Sequence, residues 1–325
     1  MYLFGKPATE KPQKIAFLLV PGFSLLCFSS ALEPMRAANI KAGEKLYEWK
    51  IYSISGASVR ASNNMDINVD AELSPSLQIP VLIICASYDV EKSYTETLAS
   101  NLRKLRSKGT EFGGMDTGSE ILAKAGLLNG YKATVHWENF ESFTETFPNV
   151  QAERDLYVVD RNRFTSGGGT TSLDMMLQLI RVQYGLKLST EVADQFIYQR
   201  FREGNNPQRL ASQNPLIMNN PVLSRTIEMM EANIETPYLI PELAQEIETS
   251  VRELERLFKK YLKSSPGSYY RNLRLDVAQR LLKQTDLSIL DVAIRCGFNS
   301  ATSFARSYRN RYGQAPRTSR MIIQP

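Results

Sequence analysis

A chain of 325 residues is too long for one ordinary core and predicts two domains. At 43% hydrophobic and 22% charged it has globular composition, and without an apolar run of about 18 residues it excludes a transmembrane helix. The net charge of +5 is uneven: residues 1–214 carry 23 basic and 23 acidic side chains, whereas residues 249–325 carry 15 and 5.

A neutral front and a basic tail predict a module for a polyanion joined to something else, with a merely solvated basic surface as the alternative. Cys27, Cys85 and Cys296 are odd in number and far apart, which fits reduced thiols in the cytoplasm and gives neither a disulfide framework nor a zinc spacing. No metal or cofactor is expected. The opening stretch 1–14 is short and polar and leads into a strand-like run, so no signal peptide is expected.

In chain order, residues 15–20 form a short apolar run closed by Pro21-Gly22, followed by a helical pattern to about Asn39. Residues 49–54 and 79–85 are strand candidates, 93–106 and 118–125 are helical, and 133–137 reads as a short strand. Residues 156–160 read as a strand before the turn signal Arg161-Asn162, and helices are expected at 171–184 and 190–201. Such alternation predicts a parallel sheet covered by helices on both faces. The stretch 203–215 holds Gly, Asn and Pro without apolar periodicity and reads as a linker. The expected domains are therefore 1–205 and 220–325, joined by 206–219.

Beyond the linker two segments share one design. In the first, Leu243, Ala244 and Ile247 stripe a short helix, and Ser250 stands as N-cap of a second helix after the turn at Glu248-Thr249. That helix turns Leu254, Leu257 and Phe258 inward and leaves Arg252, Glu255 and Arg256 outside. The second segment repeats the scheme with Ile289, Val292 and Ala293, the turn Cys296-Gly297-Phe298, and a cap at Asn299 or Ser300. Here Phe304 and Tyr308 face inward, and Ala301, Thr302, Ser303 and Arg306 face out. A longer helix across 266–284 separates them, with Leu273, Val277, Leu281 and Leu282 as its buried side.

A short helix, a tight turn and a capped second helix make a helix-turn-helix, whose second helix fits a major groove about 12 Å wide. Arginine pairs with guanine there, Ser and Thr contact bases loosely, and Lys259, Lys260 and Arg309 are placed to neutralise phosphate. The block from Ile289 to Pro316, with its Gly-Phe turn, Ser-capped helix and final G-x-x-P, resembles the AraC/XylS family of regulators over about residues 220–320. It departs at Ser319, where that family often has an aromatic residue before the arginine that is Arg320 here.

In the front half, Gly114-Met115-Asp116-Thr117-Gly118 has the form of a strand-to-helix turn that presents one side chain at a sheet edge. The region 14–200 resembles the ThiJ/PfpI domain, a flavodoxin-like, glutamine-amidotransferase-like fold whose elbow normally holds a reactive cysteine. The stretch 123–137 matches the segment after that family's elbow and brings His136 near it. Together the halves resemble GlxA-type regulators, and the D-T-G elbow is similar to members responding to arginine, glycine betaine or carnitine.

The resemblance implies a DNA-binding regulator, commonly an activator, controlled by a small amino-acid or quaternary-amine effector. Double-stranded DNA, a second copy of the chain and RNA polymerase are the implied partners. A carboxylate is a weak nucleophile beside a thiolate, so an Asp116–His136 hydrolase with an accessory basic tail is the alternative and a non-enzymatic sensor the main reading. The family's acidic partner is not evident on the first helix, where Cys27 lies near that place and Glu33 one to two turns on.

A buried carboxylate suits a cation, and Trp137, Trp49 and Tyr88 offer aromatic faces to a quaternary ammonium. Gly114, Asp116, Thr117, His136 and Tyr88 are the candidate effector site. Each has a plainer reading: Asp116 as a helix cap, the tryptophans as core, His136 as a structural hydrogen-bonding group. The run Ser166-Gly167-Gly168-Gly169-Thr170 lacks a following lysine and reads as a tight strand–helix turn rather than a phosphate loop.

Overall fold

The structure, a computed structural model, describes residues 7–8, 11–87, 90–198, 201–206, 208 and 220–321. The chain divides into two compact units, Met1–Gln208 and Arg209–Pro325.

The first unit begins with β1 (Gln13–Leu19), α1 (Leu25–Ala42) and β2 (Tyr47–Ser53). A small antiparallel pair, β3 (Val59–Arg60) and β4 (Asp66–Ile67), precedes β5 (Ala71–Glu72) and β6 (Val81–Ala86). Then come α2 (Val90–Ser93), α3 (Glu96–Ser107), β7 (Glu111–Asp116), α4 (Gly118–Lys124), β8 (Lys132–Ala133), α5 (Phe140–Thr146) and β9 (Gln151–Ala152). The unit continues with β10 (Tyr157–Asp160), β11 (Arg163–Ser166), α6 (Thr171–Tyr184) and α7 (Leu186–Gln195).

Seven strands form one sheet in the order β10-β11-β7-β6-β1-β2-β5, parallel except for the edge strand β10. Along β1, Ile15, Phe17 and Leu19 enter one core with α1, α6 and α7, while Ala16 and Leu18 enter the other with α3, α4 and α5. A strand buried on both faces reads as a continuous apolar run, which is why 15–20 and 81–86 stand out in the sequence.

Several boundaries differ from the sequence reading. Expected helix 93–106 is broken, with Thr95 capping α3 by accepting the Leu98 amide at 3.1 Å. The strand expected at 133–137 shrinks to β8, because the Thr134 amide leaves the ladder and donates to Thr165 Oγ1 at 2.8 Å. The last helix runs Leu186–Gln195 rather than 190–201: Gly185 separates it from α6, and a left-handed Ile197 stops it. Central strand β7 has two consecutive glycines that hide its apolar pattern; a Cβ on Gly113 would lie 2.2 Å from the Phe164 ring.

The segment read as the start of a free linker is packed. Leu156 donates its amide to the carbonyls of Gly204 and Asn206, both at 2.9 Å.

The second unit is helical. Asn220 caps α8 (Pro221–Ala232), followed by α9 (Ile240–Glu246), α10 (Val251–Leu257), a π-helical turn (Phe258–Leu262) and α11 (Pro266–Gln284). It closes with α12 (Ile289–Arg295), α13 (Ala301–Tyr312) and α14 (Pro316–Met321). Two small cores share α11. Tyr270 and Leu273 pack with α8, α9 and α10, whereas Leu275, Val277, Ala278, Leu281 and Leu282 pack with α12 and α13. Leu273, expected on the same buried side as Val277, thus belongs to the other core. The final turn forms despite the departure at Ser319, which is buried and accepts from Gln314 Nε2 at 2.9 Å, while Arg320 bonds the Leu287 carbonyl. Among the described residues no helix is long and apolar enough to cross a membrane, and no cluster of His, Cys, Asp and Glu could hold a metal.

Candidate functional site

Two places combine exposed or buried polar groups in a way packing alone does not explain. The first lies where β7 ends. Asp116 adopts φ 59°, a left-handed conformation uncommon outside glycine, and α4 starts two residues later. Glycines make this turn sterically feasible. A Cβ on Gly118 would sit 2.2 Å from the Ile84 carbonyl oxygen, and one on Gly114 2.8 Å from the Ser119 amide nitrogen. Gly114 thus has a packing reason of its own. Thr117 holds the turn by donating its hydroxyl to the Ser87 carbonyl at 2.6 Å, and Thr117, not Asp116, occupies the N-cap position of α4.

The Asp116 side chain is only 7% exposed. Burial raises its pKa to about 7; hydrogen bonds from the Ser87 side chain and the Thr117 backbone hold it down, and the charges of Glu120 and Glu138 push it up. Glu120 is likewise raised to about 7 by burial, opposed by the Asn139 amide that donates to it at 2.8 Å and by Lys124. Lys124 itself pairs with Glu91. Among the described residues no cation forms an ion pair with Asp116. The result is a buried Asp116 carboxyl whose ionisation is opposed by the charges of Glu120 and Glu138.

His136 does not hydrogen-bond Asp116. Its Nδ1 accepts the Glu138 amide at 3.4 Å, burial lowers its pKa, and its ring tilts against Trp137 at 5.6 Å. Trp49 packs against the α1/α6 core, so it serves as core rather than cage. Tyr88 lies outside the described residues.

Cys27 does reach the elbow from the start of α1. Its thiol contacts Ser172 Oγ at 3.2 Å, and burial, with the Asp116 charge adding, pushes its pKa up to about 12. Relative to the ThiJ/PfpI pattern, the acid stands on the elbow and the thiol on the helix. A thiol held protonated is a poor nucleophile. Gly168 and Gly169 adopt φ 86° and 55°, and Thr171 Oγ1 donates to the Gly168 carbonyl at 2.7 Å, so the glycine run is a tight strand–helix turn.

The second place comprises the starts of α10 and α13. Ser250 accepts the Glu253 amide at 3.1 Å and Ser300 accepts the Ser303 amide at 3.2 Å, so each helix is capped as expected, with Ser300 rather than Asn299 in the second. Arg252, Glu255, Arg256 and Lys259 are exposed on the first; Thr302, Arg306 and Arg309 are exposed on the second, with Ala301 and Ser303 half-buried beside them. Arg256 makes a bidentate pair with Glu253 at 2.6 and 2.7 Å, a restraint the sequence reading missed. Arg252 and Arg306 form no ion pair among the described residues.

Two further residues on α11 position the second helix pair. Arg274 donates to the Gly297 carbonyl at 2.7 Å and stacks 4.8 Å from the Phe298 ring. Asp276 receives Arg311 at 2.6 and 2.8 Å and the Tyr312 hydroxyl at 2.6 Å. Neither pairing has a local signal in the sequence, because each joins α11 to residues far along the chain, in the Gly297-Phe298 turn and at the end of α13. Arg274→Ala removes a charge-assisted bond and its stacking contact, and it should cost about 1.5–3 kcal/mol. Urea denaturation of the full chain would register this as a loss confined to the helical unit.

Residues 13–182 match the DJ-1/PfpI family and residues 243–321 match a helix-turn-helix domain family. The chain is similar over nearly its whole length to three regulators. It is 42% identical to the HTH-type transcriptional regulator GbdR of Pseudomonas aeruginosa, across 97% of this chain and 86% of that protein. CdhR of the same species is 42% identical across 96% and 92%. GlxA of Rhizobium meliloti is 33% identical across 94% of each. Among solved structures, an AraC family transcriptional regulator from Pseudomonas putida overlays with a TM-score of 0.53 at 23% identity, covering 57% of this chain and all of that one.

Proposed function

The chain belongs to the DJ-1/PfpI family and to the GlxA-type DNA-binding transcription regulators, in which a helix-turn-helix unit follows that domain, and from this premise we propose that the DJ-1/PfpI unit senses a cationic small molecule. The observation that carries the proposal is the Asp116, Glu120 and Glu138 group: two carboxyls raised to about 7 with no cation paired to Asp116 among the described residues. A cationic amino acid or betaine would relieve that desolvation and the repulsion that Glu120 and Glu138 exert on Asp116. The unit is not an enzyme in this reading, because its thiol is protonated and Asp116 lacks a hydrogen-bonded base.

On the DNA side, Ser250, Arg252, Glu255, Arg256 and Lys259 would meet one major groove, and Ala301, Thr302, Ser303, Arg306 and Arg309 the next. The regulator would act in the cytoplasm as a homodimer and activate transcription with RNA polymerase.

The raised pKa values set a sign. Folded Asp116 and Glu120 hold protons more tightly than their ordinary values of 3.8 and 4.5, so their contribution to stability is present below about pH 4 and lost as pH rises to about 7. A cation prefers the ionised forms, so its affinity should climb across the same window and level off above it. Titration calorimetry of the full chain with arginine and with glycine betaine at pH 5.5 and 8 tests this. Tighter binding at pH 8, weakened roughly 10-fold or more by Asp116→Asn, supports the reading; equal binding by that variant refutes it.

A further inference from the structure

The chain leaving the first unit is fastened to the loop that closes over Asp116. A Cβ on Gly168 would lie 2.8 Å from Asp116 Cβ and 3.1 Å from its Oδ2, so the loop backbone rests on the carboxyl. One peptide bond earlier, a Cβ on Gly167 would lie 2.3 Å from both Cδ and Oε1 of Gln208. The two glycines are thus a two-sided contact, with the Asp116 carboxyl on one side and Gln208 on the other.

The same loop and the helix it starts hold the exit segment elsewhere. Arg202 pairs with Asp174 at 2.6 Å and donates to Thr170 Oγ1 at 2.8 Å; Asp174 is wholly buried and also receives the Tyr198 hydroxyl at 2.8 Å. Gly167 donates to the Leu156 carbonyl at 2.9 Å, while the Leu156 amide donates back to the Gly204 and Asn206 carbonyls. Gln208 is seated by its own amide group, whose Nε2 lies 2.8 Å from Thr134 Oγ1, 2.8 Å from the Val135 carbonyl and 2.9 Å from that of Asp155.

We propose that Gln208 is the positioning residue through which the Asp116 pocket reports to the DNA-binding unit. A group bound at Asp116 displaces the Gly167–Gly168 turn, the turn unseats Gln208, and the point at which the chain leaves the first unit changes. This rests on the sensor reading for the identity of the trigger, but the mechanical coupling is separable from it.

The test is a double-mutant cycle on operator affinity, using the full chain with Asp116→Asn as the pocket perturbation and Gln208→Ala as the exit perturbation. Coupling predicts that Asp116→Asn shifts operator affinity in the native background and that the shift shrinks about fivefold or more when Gln208 is absent, the low end of allosteric coupling. Gly167→Ala, which pushes on the Gln208 side chain without deleting it, should reproduce the Gln208→Ala result. Hydrogen exchange supplies a readout independent of DNA: Asp116→Asn should alter protection of the Leu156 and Gln208 amides.

Additive effects, or unchanged affinity in both single variants, would overturn the proposal, as would exchange at Leu156 and Gln208 that ignores Asp116→Asn. Failure of arginine and glycine betaine to bind, with the cycle still non-additive, would overturn the cationic-effector reading and leave this coupling standing.

Discussion

Full-length protein carrying both Arg252→Ala and Arg306→Ala is expected to lose most of its sequence-specific affinity for its operator. Each arginine stands exposed in the first turns of a Ser-capped helix and forms no ion pair among the described residues, so each is free to meet a guanine edge. A base-contacting arginine is worth about 1–3 kcal/mol, so each change should weaken specific binding by roughly 5- to 150-fold. The helices sit in separate cores joined by α11, and the two losses should add. Arg256, tied to Glu253, should contribute less than Arg252. Lys259→Ala or Arg309→Ala should instead weaken all DNA alike and lower the salt slope by about 1 each. Fluorescence anisotropy against operator and scrambled duplexes over a salt series separates the two classes.

Phe304→Ala should be the most damaging single substitution in the helical unit. Its ring is fully buried, 5.2 Å from Phe298 and 5.5 Å from Tyr308, and so links the Gly-Phe turn to the inner face of α13. Deleting a buried phenylalanine costs about 3–5 kcal/mol, a large share of the roughly 5–15 kcal/mol that holds a domain folded. The helix carrying Arg306 loses its backing, so operator binding should fall together with stability. Calorimetry should show the transition of the helical unit moving down while the transition of the DJ-1/PfpI unit stays in place.

The helix-turn-helix pairs were legible because their information is local. Ser250 announces one cap and the pair Asn299-Ser300 the other, Cys296-Gly297-Phe298 announces a turn, and helical spacing gives the inward residues. The parallel sheet was legible where strands are apolar on both faces, as at 15–20 and 81–86, and illegible at β7, where Gly113 and Gly114 trade apolar character for close approach. Asp116 could be singled out from the glycines around it. Glu120 follows it by four residues on the next helix, whereas Glu138 and Cys27 join it only through the fold: Cys27 precedes the elbow by some ninety residues, and no spacing rule connects them. The same holds for Arg274 and Asp276, whose partners lie in the Gly297-Phe298 turn and at the end of α13. Residues 203–206 and 208 read as linker because they lack apolar periodicity, yet Gly204, Asn206 and Gln208 are held by polar contacts and by the space that Gly167 leaves, neither of which leaves a periodic trace.

The most direct measurement is a hydroxyl-radical footprint of the full-length protein on its operator, compared with the Arg252→Ala/Arg306→Ala variant. Two helices reading successive major grooves on one face of the duplex should protect two patches about 34 Å apart per protomer, and the double substitution should erase both. A single patch, or protection that survives the loss of both arginines, would contradict two-helix recognition of DNA by this chain.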